Sequence, residues 1–190
     1  MYTQKNPIIT PLKYSFLFIA LFWGIEVIQF IGFDLASLGI LPRQTDGLLG
    51  ILTAPFIHGN LKHLAANTIP FFVLSFLLFL FYRRKATLFL VLIWLLTGLL
   101  TWIIGRSSWH IGASGVIYGL ASFLVFGGIL SQNWKLILVS ILVIVLYSGL
   151  VFGVFPSDPR VSWEGHLSGA VSGIILAFMY KKKLQSPNYR

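Results

Sequence analysis

The sequence predicts an all-α polytopic membrane protein, a bundle of six transmembrane helices with both ends of the chain in the cytoplasm. Three observations predict it. Of 190 residues, 57% are hydrophobic and only 10% charged, where a soluble domain carries about a quarter charged residues. Six apolar runs each approach the roughly 20 residues that one span requires. The basic residues gather in the connections that would lie on one side. Six spans use up a chain of this length and leave no room for a sizeable soluble domain.

The first run, Tyr14 to Phe33, follows a basic start. It exceeds the roughly 7–15 residues of a signal-peptide core and no small-x-small cleavage site follows closely, so it predicts a retained helix. Leu64–Tyr82, Ala86–Ile104, Ser114–Leu130 and Trp134–Phe155 follow. The sixth run, Trp163–Tyr180, is rich in glycine, serine and alanine but still long enough to span. Arg83-Arg84-Lys85, Gln132-Asn133 and Pro156-Ser157-Asp158-Pro159 punctuate the runs as turns or interface segments. The longest connection, Asp34 to Lys62, contains Leu48-Leu49-Gly50-Ile51-Leu52 and Ala54-Pro55-Phe56-Ile57, which predicts a loop lying in the membrane interface. The expected organisation is a short cytoplasmic segment over 1–13, a membrane domain over 14–180 and a basic cytoplasmic tail over 181–190, with no seventh helix and no internal repeat.

Charge orients the bundle. A cytoplasmic N-terminus puts Lys5, Lys13, Arg83, Arg84, Lys85, Lys135, Lys181, Lys182, Lys183 and Arg190 inside, with no acid among them. Arg43, Lys62, Arg106 and Arg160 fall outside, beside Asp34, Asp46, Asp158 and Glu164. Ten basic residues inside against four outside is a positive-inside bias. The formal net charge of +9 is therefore a topology signal rather than a nucleic-acid footprint. The absence of cysteine excludes disulfides, thiol catalysis and thiolate metal sites.

Polar side chains at membrane depth are costly, which makes them functional candidates. His58, His63 and Asn67 stand around the start of the second helix, Ser114 and Tyr118 at the start of the fourth, and His166 in the sixth, all toward the outer side. In Gly112-Ala113-Ser114-Gly115-Val116-Ile117-Tyr118-Gly119, small neighbours leave the serine hydroxyl uncovered and a helix start presents backbone N–H groups to a developing oxyanion. Tyr118 shares the face of Ser114. A helix of about 17 residues covers only about 25 Å, so Ser114 would sit in a recess below the outer surface. The same glycines also read as a plain packing face, Gly115 with Gly119, with Ser114 as a cap. The sixth helix carries His166 with a second small-xxx-small pair, Gly169 and Gly173, so two glycine-faced helices could bring Ser114 and His166 within about 3 Å. His63 and Asn67, four apart on one helical face, supply two side-chain donors for an oxyanion; a histidine near a helix start is also a common interfacial residue.

Other chemistries lack their residues. No His-Glu-x-x-His occurs, and His58, His63, His110 and His166 have no close metal-ligand spacing, so neither a metal nor another cofactor is expected. An aspartyl protease needs two carboxylates at membrane depth, whereas Asp34, Asp46 and Asp158 lie in loops. Glu26 is an acid within a predicted span; it reads as a structural hydrogen bond to a neighbouring helix or as a gating or proton-moving group. No phosphate-binding loop is present.

Gly112-Ala113-Ser114-Gly115 with Tyr118, His166 followed by Gly169 and Gly173, and upstream His63 with Asn67 together resemble the rhomboid intramembrane serine proteases over roughly 14–180. The resemblance implies Ser114 as nucleophile, His166 as general base, and His63, Asn67 and the Ser114 N–H as the oxyanion site. It further implies that Tyr118 packs beside the histidine, that Trp109 belongs to the loop ahead of the serine, and that His58 holds water and structure at the loop–helix junction. No third, acidic member is implied, and Glu164 is not assigned that role. Where the family often has Trp-Arg in the first outer loop, this chain has Leu49-Gly50; where it often has alanine before the histidine, this chain has Gly165.

The expected function is a serine endopeptidase cutting single-span membrane proteins near the outer face of a prokaryotic plasma membrane, after a small residue. A non-catalytic rhomboid-like protein that binds client transmembrane helices and a small transporter are the alternatives. Transmembrane substrates and the bilayer are the expected partners, and nucleic acid and metal are not.

Overall fold

The computed structural model describes residues 7–185. Lys5 and Arg190 of the inner basic set lie outside the described residues. All six predicted runs are helical: α1 (Ile9–Phe30), α3 (Leu61–Phe81), α4 (Ala86–Ile104), α5 (Ser114–Leu130), α6 (Trp134–Tyr147) and α7 (Trp163–Met179), with the short α2 (Gly50–Thr53) in the long loop and α8 (Lys181–Leu184) after α7. By length and composition α1, α3, α4 and the stretch Trp134–Val154 can each cross a membrane, and α5 is a shorter apolar helix. The chain is an integral membrane protein of all-α architecture.

Both ends of α4 and α5 and the starts of α6 and α7 fall where the sequence placed them; the ends of α1, the start of α3 and the end of α6 moved for local reasons. α1 starts five residues before Tyr14 because Pro11 is tolerated in a first helical turn, where its missing N–H has no partner to lose. It stops at Phe30 because Gly32, at φ +110°, turns the chain left-handed and donates to Gln29 O at 3.0 Å. Asn60 caps α3 by accepting from the His63 N–H at 2.9 Å, which draws Leu61, Lys62 and His63 into the helix. Asn133 caps α6 in the same way. After Tyr147 the backbone tightens into a 3-10 segment, Ser148–Val154, in place of the predicted continuous helix to Phe155.

The fold is built around α5, which packs against α7 and α6 and also meets α3 and α4. Helices α5 and α7 meet along their glycines. A Cβ at Gly169 would strike the Gly115 carbonyl, and one at Gly173 the Gly119 carbonyl. The absence of side chains lets the two backbones touch. At the end of the bundle near Arg83-Arg84-Lys85, Tyr82, Phe89 and Phe123 form a buried aromatic cluster, with ring centroids 4.6 to 5.9 Å apart. Phe22, Phe56 and Phe71 pack at the opposite end against the long loop.

That loop folds back on α4. Trp94 donates its indole N–H to Ile51 O at 2.9 Å, and the Arg43 guanidinium donates to the carbonyls of Ile103 and Gly105 at 3.0 and 2.7 Å. The Thr53 hydroxyl bonds Leu38 O at 2.5 Å. Ile40 and His110 exchange backbone hydrogen bonds at 2.9 and 2.8 Å, tying the loop to the segment ahead of α5. These bonds anchor the loop without Trp-Arg at 49 and 50. Gly50 leaves no space for any side chain, since a Cβ there would meet the backbone of Gly39 and Ile40. Leu48, Leu49 and Leu52 remain about half exposed.

Candidate active site

Ser114 is the first residue of α5 and His166 the fourth of α7, and the glycine seam sets both at one level. Ser114 Oγ lies 2.9 Å from His166 Nε2. On the other side of the ring, Nδ1 is 2.8 Å from Gly153 O. A carbonyl can only accept, so Nδ1 carries the proton and Nε2 presents its lone pair to the serine hydroxyl. Tyr118 stacks on the imidazole, ring centroids 4.2 Å apart and planes 7° from parallel. Two bonds and a stacked face thus fix the ring.

Gly112 has φ +104°, a left-handed turn that glycine adopts without strain and that bends the chain into α5. A Cβ at Gly112 would lie 2.7 Å from His63 Nε2 and 3.7 Å from Asn67 Nδ2, so both predicted donors stand beside the turn that delivers Ser114. Asn67 is buried and donates to the His63 backbone carbonyl at 3.1 Å. His63 Nδ1 accepts from the Gly59 N–H at 3.5 Å, which leaves Nε2 as the protonated nitrogen facing the turn. Behind Ser114 a cavity of about 30 Å³ is lined by Thr97, Thr101, His110, Ser114 and Ser162 among others, enough for about one water.

His58 lies just outside α3, only 2% exposed, with its ring edge-on to His63 at 5.1 Å and tilted against Phe22 at 5.6 Å. Burial, and secondarily the neighbouring His63, pushes it down to about 4, so it is neutral at physiological pH. Trp109 stays on the loop ahead of α5 with its side chain 39% exposed; the adjacent His110 is the residue that turns inward. Glu26 differs from its expected contact with a neighbouring helix. It accepts from Gln29, one turn along its own helix, at 3.0 Å, and the same Gln29 amide reaches His58 O at 3.0 Å.

Glu164 is buried and bonds to Arg106, not to the imidazole: its Oε1 accepts from the Arg106 N–H at 3.4 Å and lies 3.6 Å from the Arg106 guanidinium. The group orienting His166 is instead the Gly153 carbonyl, which no side-chain pattern reveals. Nor does any motif mark His110, which is buried between Ser162 Oγ and Arg106 O and which the sequence offers only as a metal ligand. Among the described residues no cluster of histidine and carboxylate side chains suits a metal ion. Chemically, the arrangement offers a hydroxyl poised to lose its proton to an oriented imidazole, with N–H donors alongside.

The sequence profile of the Rhomboid domain matches residues 45–183. An uncharacterized protein of Mycobacterium tuberculosis is 42% identical over 173 residues, covering 85% of this chain and 72% of its own. A protein of Acanthamoeba polyphaga mimivirus, named as a rhomboid protein, is 30% identical over 140 residues, covering 70% of this chain and 75% of its own. The profile takes in every site residue described above, from His58 to Gly173, and the chain belongs to the rhomboid family.

Proposed function

We propose that this chain is an intramembrane serine endopeptidase that cleaves transmembrane segments of membrane proteins through Ser114 and His166. The observation that carries the reading is the 2.9 Å Ser114 Oγ–His166 Nε2 contact with the far nitrogen of the ring tied to Gly153 O. In the proposed reaction His166 Nε2 takes the serine proton as Oγ attacks the scissile carbonyl carbon. The oxyanion is met by the Ser114 N–H, His63 Nε2–H and Asn67 Nδ2–H. The tetrahedral intermediate collapses, the peptide C–N bond breaks and the leaving amine takes the proton from His166. Water, activated by the same nitrogen, then hydrolyses the acyl-enzyme and frees Ser114. Tyr118, Gly112 and His58 support this centre.

The same reading places six spans in the bilayer, α7 included, with both termini cytoplasmic and the site opening to the outer side of a prokaryotic plasma membrane. The inner basic residues and the mycobacterial relatives support it. Its substrates are single-span proteins whose helices unwind near that face, with a small residue before the cut. The test is reconstitution with a transmembrane reporter, comparing wild type with Ser114→Ala and His166→Ala. Cleavage should vanish in both, and a fluorophosphonate should label Ser114 only in the wild type among the two serine forms. Undiminished cutting by Ser114→Ala overturns the mechanism and favours a client-binding or transport role.

A further inference from the structure

Ser114 and His166 lie in the first turns of their helices, above the glycine seam, where terminal turns are the least restrained part of a helix. Two chain segments lead into them: 105–113 ahead of α5 and 155–162 ahead of α7. One cluster of polar groups joins these segments. The Arg106 guanidinium donates to Pro159 O at 2.8 Å and Val161 O at 2.9 Å. Its backbone N–H and its other Nη meet Glu164 Oε1 at 3.4 and 3.6 Å. His110 lies 3.0 Å from Arg106 O through Nε2 and 2.5 Å from Ser162 Oγ through Nδ1. The carbonyl can only accept, so Nε2 donates to it and Nδ1 accepts the serine proton. Ser162 Oγ accepts in turn from the Gly165 N–H at 3.2 Å, capping α7 immediately before His166.

We propose that Arg106, His110 and Glu164 are positioning residues for the Ser114–His166 pair, stitching the entry of the serine helix to the entry of the histidine helix. None of the three is hydrogen-bonded to Ser114 or His166; they act through the backbone. Burying a carboxylate such as Glu164 costs desolvation that can exceed the return from a single ion pair with the partly exposed Arg106. Fixing Arg106 across the gap gives that carboxylate a function. The guanidinium's several donors let one side chain hold two carbonyls and a carboxylate at once, which an ammonium on a flexible stem does less well.

This inference rests on the proteolytic reading, and its test separates the two. The full chain in proteoliposomes is assayed with a transmembrane reporter as wild type, Arg106→Ala, Arg106→Lys and Glu164→Gln. A displacement of about 1 Å costs on the order of 10²-fold, so Arg106→Ala and Glu164→Gln should lower kcat by about tenfold to a hundredfold while KM stays within about twofold. Arg106→Lys should recover part of the loss, and fluorophosphonate labelling of Ser114 should slow in parallel. Thermal unfolding identifies any variant that fails to fold; if Arg106→Ala does, Arg106→Lys carries the test. Wild-type kcat in the folded variants, or a loss confined to KM, overturns the proposal. If the wild type neither cleaves nor labels, the proteolytic reading fails. The positioning is then read by NMR of ¹⁵N-imidazole-labelled protein. The His166 Nδ1–H resonance should be sharp in wild type and exchange-broadened in the variants, and an unchanged resonance refutes it.

Discussion

Replacing Gly169 by alanine should draw Ser114 and His166 apart. An added Cβ would stand 2.8 Å from the Gly115 carbonyl carbon and 3.1 Å from the Gly119 nitrogen, and would meet the Gly115 oxygen as well, whereas ordinary contact begins near 3.4 Å. All three are backbone atoms of α5, so no side chain can rotate away. Clearing the carbonyl carbon alone takes about 0.6 Å, and clearing the oxygen takes more, so the helices must separate by about 1 Å. His166 is one turn above Gly169. The 2.9 Å Ser114–His166 contact would then open to about 4 Å, beyond hydrogen-bond reach. A misplacement of that size costs on the order of 10²-fold in rate, and the overpacking about 1–3 kcal/mol of stability. The assay is kcat on a transmembrane reporter, with thermal unfolding alongside. Gly24→Ala in α1 is the control, because nothing lies within 4 Å of its added Cβ; it should leave both quantities unchanged. If Gly169→Ala keeps more than half of wild-type kcat while folded, the glycine seam does not set the distance between the pair.

Tyr118→Phe keeps the stacked ring and should hold kcat within about twofold, while Tyr118→Ala loses an interaction of about 0.5–1.5 kcal/mol and should slow the reporter assay by up to about tenfold. Gly112→Ala should abolish cleavage, since its Cβ would meet His63 at 2.6 Å and occupy a left-handed conformation; a folded, active Gly112→Ala enzyme would refute the placement of His63. For His58, folding lowers the value from 6.5 to about 4, so between those limits the unfolded chain binds more protons and stability falls as pH falls. The loss, at most about 3 kcal/mol, should begin near pH 6.5 and level off below about 4, and His58→Phe should remove it from thermal unfolding curves taken at pH 7 and pH 5. Reporter fusions at both termini should be active only in their cytoplasmic form; a periplasmic signal at either end would reverse the orientation.

Hydropathy was sufficient for α4, which lies between Arg83-Arg84-Lys85 and Arg106, and for the end of α5 at Ser131-Gln132-Asn133, while the start of α5 was marked by its glycine-serine motif. It misplaced the ends of α1 and α3, where caps and a glycine turn decide and the lipid-soluble run is shorter or longer than the helix itself. The pairing of Ser114 with His166 was legible because the two glycine pairs that permit it are themselves sequence patterns. Arg106 and Glu164 were counted as outer charges, and nothing in their spacing, 58 residues apart, indicates a shared bond. His110 illustrates a different limit: next to Trp109 on an irregular segment, no periodicity states which of the two side chains turns inward.

The Gly153 carbonyl has a consequence for how such a site can vary. A carboxylate in that position would titrate and could be deleted by a single codon change. A peptide oxygen does neither, and every one of the twenty amino acids supplies it. Orientation of His166 is therefore encoded in the path of the backbone from Ser148 to Val154 and not in a letter at 153. A saturation scan would register position 153 through crowding of Tyr118 and of the His166 ring, and would not remove the bonding oxygen itself. Insertion or deletion of one residue in that stretch, which shifts the oxygen without removing it, is the kind of lesion that would expose it.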